Sequence, residues 1–347
     1  MTPAVRVLIS LVNWNGGASI VRCLEQLRAQ TFPNAQVIVI DNASTDGSVA
    51  AIRQADPGVL VVENADNLGY AGGNNVALRY GLREDFDYFW LLNYDTRSEP
   101  DTLAALVDMA ESDPTIGAIS PVIYKSEQLD QIQFCGTWAE LRTCRFRDAR
   151  NFSEMDTHQS SSRNDLLLWG TALFLRREAI QAAGLLDERY FAYYEDLDLT
   201  DRILRAGFRN RVSPAARIWH GGIPSIHDRP PYYAYFNIRN DHLYWRDRVT
   251  MTGKLRQLRL FAKRTLQFTS ELKGRASAPE QLEACVCGFR DALLGRYGGW
   301  GPARRPPQWL YVLMTAHPDA LGALLDGRFL GLLTSVIAKI RHTVRPQ

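Results

Sequence analysis

Short apolar runs, each released into a polar loop, set the rhythm of the first half of the chain. Residues 5–12 form such a run and read as a buried strand that ends in Asn13-Trp14-Asn15-Gly16-Gly17. A helical stripe of Ile20, Val21, Leu24 and Leu27 follows, then a second apolar run at 36–40 that opens into Asp41-Asn42-Ala43-Ser44. Strand, helix and strand in that order predict a parallel α/β sheet with right-handed crossovers. Ligands of such sheets gather at the carboxyl ends of the strands, where Asn13 and Asp41 both fall. A third run at 59–64 leads to Asn67-Leu68-Gly69-Tyr70-Ala71-Gly72-Gly73-Asn74-Asn75, which reads as a glycine turn before a helix through Val76, Leu78 and Leu82. A fourth run at 88–92 delivers Asn93 and Asp95 to the sheet edge, and an amphipathic helix is expected over 100–111.

Residues 135–165 are polar and irregular and read as a surface excursion. The run at 166–175, which contains Trp169, returns to the sheet. A short helix and the approach Leu186-Asp187-Glu188-Arg189-Tyr190-Phe191 then lead into Tyr193-Tyr194-Glu195-Asp196-Leu197-Asp198-Leu199. A helix opens at those acids and is expected to reach Ala206, with Gly207 just past its end. From Arg229-Pro230-Pro231 onward the glycine turns give way to long helical patterns. A boundary near 226 therefore separates a sheet-forming unit, 1–225, from a helical unit, 226–347. In the latter, Leu255, Leu258, Ala262, Leu266 and Thr269 share one helix face, with Lys254, Arg256, Arg259, Lys263 and Arg264 around it.

Composition narrows the function classes. Across 347 residues, 46% are hydrophobic and 22% charged, which suits a sizeable globular core. The net charge of +2 gives no overall attraction to nucleic acid or membranes. The amino-terminal apolar run is too short for a signal peptide, and the apolar stretch at 329–340 is too short to span a bilayer. Five scattered cysteines read as reduced thiols of a cytoplasmic protein.

Candidate chemistry centres on Asp196. At about 100° per residue it lies on the side of Leu199, Thr200 and Ile203, so it is expected to line a site or meet buried donors. Asp198 and Asp201 lie on the other side, each four residues before an arginine, and read as solvent-side partners of Arg202 and Arg205. The bland alternative for all the acids is complementarity to the helix dipole. Asp95, with Asn93, either caps the next turn or holds a hard cation. A dinucleotide-binding dehydrogenase is excluded by the first loop, which lacks Gly-x-Gly-x-x-Gly.

Taken together, and in this order, the Asn13-Trp14-Asn15-Gly16 turn, 41–48, 67–75, 91–96, 170–177, 184–199 and His220-Gly221-Gly222 resemble family 2 glycosyltransferases with the A-type (GT-A) Rossmann-like nucleotide-diphospho-sugar fold. Within that family they look most like bacterial rhamnosyltransferases of cell-surface polysaccharides. The resemblance spans 5–222 and implies an inverting, metal-dependent transfer. Asp41 would read the nucleobase beside Val12, Asn13 and Trp14, and Asn74 and Asn75 would lie near base and ribose. Asp95 matches the last acid of the family's metal motif, with Asn93 standing where the first acid often stands. His220 would complete the Mg2+ or Mn2+ and diphosphate site, and His227 competes for that role. Asp196 matches the catalytic base, preceded by Glu195. Trp169, Tyr193 and Tyr194 would face the acceptor, and Arg239, in a tyrosine-rich Arg-Asn segment, would meet the diphosphate or else pack a helix. The implied donor is dTDP-rhamnose or a UDP sugar, and the implied acceptor is a growing glycan or a polyprenyl-diphosphate-linked one. The basic helix is then a candidate contact with the inner face of the cytoplasmic membrane, and the terminal helices a candidate oligomer contact. No nucleic acid is implied. The rivals are a non-catalytic nucleotide-sugar-binding homologue and a nucleotidyltransferase; the latter wants a basic residue in the first loop, which is absent.

Overall fold

The computed structural model describes residues 4–126, 128–160, 164–221, 229–272, 278–301 and 303–325. His227, Gly222 and the stretch 329–340 lie outside these residues. The chain forms two compact units, Met1–Ile223 and Pro224–Gln347.

The first unit opens with β1 (Val7–Asn13), α1 (Gly17–Arg28), β2 (Ala35–Asp41), α2 (Ser48–Ala55), β3 (Leu60–Glu63), α3 (Gly69–Arg83) and β4 (Tyr88–Leu92). It continues with β5 (Thr96–Ser98), α4 (Thr102–Ser112), β6 (Ile116–Lys125), β7 (Gln128–Phe134), β8 (Thr137–Glu140), β9 (Arg145–Asp148), α5 (Phe152–Ser160) and β10 (Leu166–Leu167). It closes with β11 (Ala172–Arg176), α6 (Arg177–Ala183), α7 (Glu195–Arg205) and β12 (Arg209–His220). The main sheet runs β3-β2-β1-β4-β11-β6-β12-β5, with β7 paired to β6.

Alternation along each strand divides the core in two. Leu8, Ile38, Ile40, Phe89 and Leu91 point to one face, where α3, α6 and α7 pack through Leu78, Ile180, Leu199 and Ile203. Val7, Ile9, Leu11, Val39 and Trp90 point to the other, against Ile20, Leu24 and Leu27 of α1 and Leu103 and Leu106 of α4. A sheet covered on both faces needs strands that are apolar throughout, which is what β1 and β4 are.

The parallel sheet expected from the sequence holds across β3-β2-β1-β4 and again between β6 and β12, and is interrupted by β11. β11 enters between β4 and β6 and runs antiparallel to both. It is reached by the long excursion after β7 instead of by a helical crossover, so no handedness rule aligns it. That excursion is also more ordered than its polarity suggested. Strands β10-β8-β9 form a small antiparallel sheet, anchored by buried Cys135, Trp138, Cys144 and Met155. The glycine turn expected at 67–75 is largely helix, since α3 begins at Gly69. Asp198 departs from its solvent-side reading: it is buried and bonds Arg202 at 2.8 Å. Arg202 also donates to the carbonyl of Leu185, which ties α7 to the loop before it. Asp201 pairs with Arg205 as expected, at 3.0 Å.

The second unit contains α8 (Pro231–Arg246), a single 3-10 turn (Met251–Gly253), α9 (Lys254–Leu272), α10 (Ala278–Leu294), α11 (Gln308–Ala316) and α12 (Pro318–Leu325). Arg239 lies wholly inside it. Its guanidinium bonds Asn240 and the Gly298 carbonyl and stacks near Tyr235 and Phe236. The packing alternative therefore describes Arg239, because a group with no exposed surface has none to offer a diphosphate. Among the described residues no helix is long and apolar enough to cross a membrane.

Candidate active site

The carboxyl edge of β1 and β2 is built around one amide. Asn13 and Asp41 stand opposite each other in the parallel register. The Asn13 Nδ2 group donates to Asp41 Oδ1 at 2.7 Å, Ser48 Oγ at 2.8 Å and Ser44 Oγ at 3.1 Å. Asp41 Oδ2 accepts from the Ser44 N–H. Asn15 adopts a left-handed backbone (φ 53°) and its Oδ1 accepts from the Thr45 N–H, while the Gly17 N–H donates to Asp46. The first two loops are thus zipped together, and Asp41 is fixed and nearly buried beneath them. Trp14 projects from this edge, 44% exposed. Half-buried Val12 packs under Gly73, where a Cβ would stand 2.8 Å from Val12 Cγ1.

Asn74 and Asn75 lie in α3 and are buried. Asn74 Oδ1 accepts from Ser10 Oγ at 2.8 Å. Asn75 donates to the Leu186 carbonyl and to Glu188 and accepts from the Leu186 N–H. These amides are occupied in holding α3 to β1 and to the approach that precedes α7. Asn42, which the sequence reading left without a role, donates to the Gly69 carbonyl at 2.9 Å and fixes the start of α3.

The second group lies past β4. The turn after Leu92 exposes Asp95, and Asn93 anchors it by donating its N–H to the Thr171 carbonyl. β12 then runs antiparallel to β5 with His220 opposite Thr96, which brings His220 Nε2 to 3.4 Å from Asp95 Oδ2. Burial pushes the Asp95 carboxyl up, but the hydrogen bond and charge of His220 outweigh it, leaving it below the ordinary range. His220 Nδ1 is buried and has no partner. Two donors sharing one octahedral cation at about 2.1 Å stand roughly 3 Å apart, so this pair fits a common ion with little movement. Among the described residues no group of three or more His, Cys, Asp or Glu gathers elsewhere or here. A cation would therefore draw most of its oxygens from a bound diphosphate and water.

The third group is the entry to α7. Phe191, Tyr193 and Tyr194 all take positive φ (65°, 68° and 77°), a costly conformation for aromatic residues. The tight fold is clamped to α3, where the Ala71 N–H donates to the Phe191 carbonyl at 3.1 Å. Gly69 (φ 71°) allows that approach, because a Cβ there would collide with the Phe191 carbonyl oxygen and ring. Out of this turn come Glu195 and Asp196. Asp196 Oδ2 accepts from the Gly170 N–H at 2.6 Å and Oδ1 from the Leu197 N–H at 2.8 Å. The Gly170 carbonyl accepts in turn from the Tyr70 hydroxyl. Gly170 is thus pinned on both sides, and a Cβ there would stand 3.0 Å from Tyr70 Oη and 3.1 Å from Asp196 Cβ. Neither Tyr70 nor Gly170 was singled out from the sequence. The available signal was a lone tyrosine among glycines and a glycine ending an apolar run.

Burial raises the pKa of both acids, and their surroundings separate them. Asp196 lies above the ordinary carboxylate range through burial, partly offset by the two backbone N–H donors. Glu195 is 4% exposed, its Oε2 has no partner, and burial followed by the charge of Asp196 pushes it further up. Of the two, Asp196 is the one whose charged form is held by backbone donors. Near them, half-buried Trp169 stacks on Phe134 with ring centroids 4.3 Å apart, and Tyr194 meets Phe146 of β9 edge-on at 5.8 Å. A cavity of about 470 Å3 lies elsewhere, beside the amino-terminal halves of β2 and β3, so volume alone does not mark the site.

The family model for glycosyl transferase family 2 matches residues 9–182. An N-acetylglucosaminyl-diphospho-decaprenol L-rhamnosyltransferase of Mycobacterium tuberculosis is 29% identical over 254 residues, covering 68% of this chain and 83% of that protein. The galactofuranosyltransferase GlfT1 of Mycolicibacterium smegmatis is 28% identical over 181 residues, 49% of this chain and 56% of that one. Among solved structures, S. aureus TarS 1-349 in complex with UDP-GlcNAc superposes with a TM-score of 0.52 at 15% identity, covering 99% of this chain and 93% of that one. GalNAc-T7 with UDP, GalNAc and Mn2+ gives 0.50 at 15% identity, covering 70% and 51%. These likenesses identify the A-type nucleotide-sugar transferase fold with carboxyl-terminal helices. With its motifs in order along that fold, the chain belongs to glycosyl transferase family 2 and is a glycosyltransferase that takes its sugar from a nucleotide sugar.

Proposed function

We propose that this glycosyltransferase moves a sugar, with inversion at the anomeric carbon, onto a hydroxyl of a lipid-linked or growing cell-surface glycan, with Asp196 as general base. The observation that carries the proposal is the Asp196 carboxylate. It is half-buried, aimed by two backbone N–H donors and set beside a more strongly perturbed acid at the mouth of α7. Removal of the acceptor proton needs a base whose pKa lies nearer the working pH than that of a solvated carboxylate, and burial supplies that shift. Backbone donors hold the oxygens without neutralising them. Tyr193, Tyr194 and Trp169 line the approach to this acid and offer flat apolar faces to a sugar ring. The carboxyl edge of β1 and β2, where Asn13 orients Asp41 and Trp14 projects, is the place we assign to the nucleobase.

Asp95 and His220 would hold Mg2+ or Mn2+, and that ion, when bound, neutralises the charge of the diphosphate leaving group. The Mn2+ found with GalNAc-T7 supports a divalent ion here. The name of the mycobacterial relative supports rhamnose as the sugar and a polyprenyl-diphosphate glycan as the acceptor. The test is turnover across dTDP-rhamnose and UDP sugars, with and without added metal, using membrane lipid extract as acceptor. Metal-dependent transfer from one donor is expected. Transfer undiminished by chelation would remove the metal assignment, and retention at the anomeric carbon would remove Asp196 as the base of a single displacement.

A further inference from the structure

Helix α9 carries its apolar face along its whole length, yet only part of that face is covered. From Phe261 onward the residues Phe261, Thr265, Leu266, Thr269 and Leu272 are buried in the second unit. The first half is bare: Leu255 is 80% exposed, Leu258 lies one turn further along the same face and is exposed, and Met251, in the turn just before the helix, is 77% exposed. The sequence reading placed Leu255 and Leu258 on one face with Leu266 and Thr269; the structure divides that face between core and solvent.

Charge on this segment is one-sided. Residues 248–270 contain six arginines and lysines and no aspartate or glutamate, in a chain whose totals nearly balance at 40 basic and 38 acidic residues. Arg264 is engaged by Asp241. Lys254 and Arg256 are exposed on either side of Leu255, and Arg259 and Lys263 continue the border.

We propose that the turn Met251–Gly253 and the first half of α9 form the surface on which this protein rests on an anionic lipid bilayer. Leucines and a methionine wet on one stripe, bordered by cations, are what an interfacial helix presents to headgroups and acyl chains. Nucleic acid would use the cations and leave the stripe in water, whereas a bilayer uses both. The proposal rests on the reading above only in that a lipid-linked acceptor gives the contact a purpose; the binding itself requires no turnover.

The test is co-sedimentation of the intact protein with phosphatidylcholine vesicles, with and without roughly a third phosphatidylglycerol, at low and high salt. Binding to the anionic vesicles is expected to exceed binding to the neutral ones at least tenfold and to fall with salt. Each cation near such a surface contributes about 1 kcal/mol, so Lys254→Glu with Arg256→Glu is expected to weaken binding by about tenfold or more. Met251→Ser with Leu255→Ser is expected to weaken it as well, with melting temperature and turnover of a short water-soluble acceptor unchanged. Trp309→Ser on α11, a site 68% exposed but outside the Met251 turn and α9, serves as control and is expected to bind as the parent. Equal partition into both vesicle types, wild-type binding by the α9 variants, or loss of binding in the Trp309 variant would each overturn the proposal. Failure of the parent to transfer any sugar would instead count against the functional reading and leave the vesicle result standing.

Discussion

Two adjacent carboxyls with different surroundings are the centre of this site. Asp196 has two backbone donors, while Glu195 has a buried oxygen with no partner. Because burial raises Asp196, kcat is expected to fall as pH drops through a pKa above the ordinary value of about 3.9, and a pH profile of kcat checks the position of that limb. Glu195 gives a stability test with the opposite slope to most acids. A carboxyl whose pKa is raised by folding favours the folded state fully below its unfolded pKa, and that advantage is lost as pH rises through the folded value. Glu195→Gln is therefore expected to gain melting temperature over the parent as pH rises, and the difference between pH 5 and pH 9 measures it. Tyr70→Phe frees the Gly170 carbonyl and loosens the aim of its N–H at Asp196. A several-fold loss of kcat is expected, with donor KM little changed and the acid limb moved upward. The direction of Asp196 was legible because 100° spacing is a property of sequence. Its donors were not, since Gly170 lies 26 residues away and meets it only through β11 and α7.

At the level of elements, the misread segments share a cause. The stretch 69–75 looked like a loop because three of its seven residues are glycine, and glycine disfavours helices in isolation. In the fold those glycines admit neighbours: Gly69 admits the Phe191 carbonyl, Gly73 admits Val12, and α3 is held by packing. Gly69→Ala forces a Cβ both onto a positive φ and into that carbonyl. A loss of roughly 2–4 kcal/mol is expected, read by urea unfolding, together with a fall in kcat because the α7 entry is clamped there. Strands β1 to β4 were legible because each is apolar throughout and bounded by turn residues. β11 was legible as a strand but not in direction, since direction depends on where the excursion brings the chain back. The small sheet β10-β8-β9 was missed because β8 and β9 are four residues each and set Trp138 and Phe146 among polar and charged neighbours.

Across the whole molecule, the five cysteines are all buried and none is placed in a disulfide. Burial pushes Cys23 up to about 12 and Cys135 and Cys287 to about 11, which suppresses the reactive thiolate. A thiol reagent is expected to label the native protein slowly at neutral pH and to find five thiols after denaturation. The order of motifs along the chain carried the family: some end the strands β1, β2, β4 and β12, and the others fall in α3, β11 and the entry to α7. The helical unit was legible as helices, but Arg239 was not legible as interior, since a guanidinium between aromatic rings looks the same in sequence whether it faces core or ligand. The assignment of Asp196 as base is tested most directly by Asp196→Asn, with nucleotide-sugar binding followed by calorimetry and transfer followed by product formation. The expected result is donor affinity within a few-fold of the parent and turnover lower by on the order of 10²–10⁴-fold. Turnover within about threefold of the parent, with donor still bound, would contradict it.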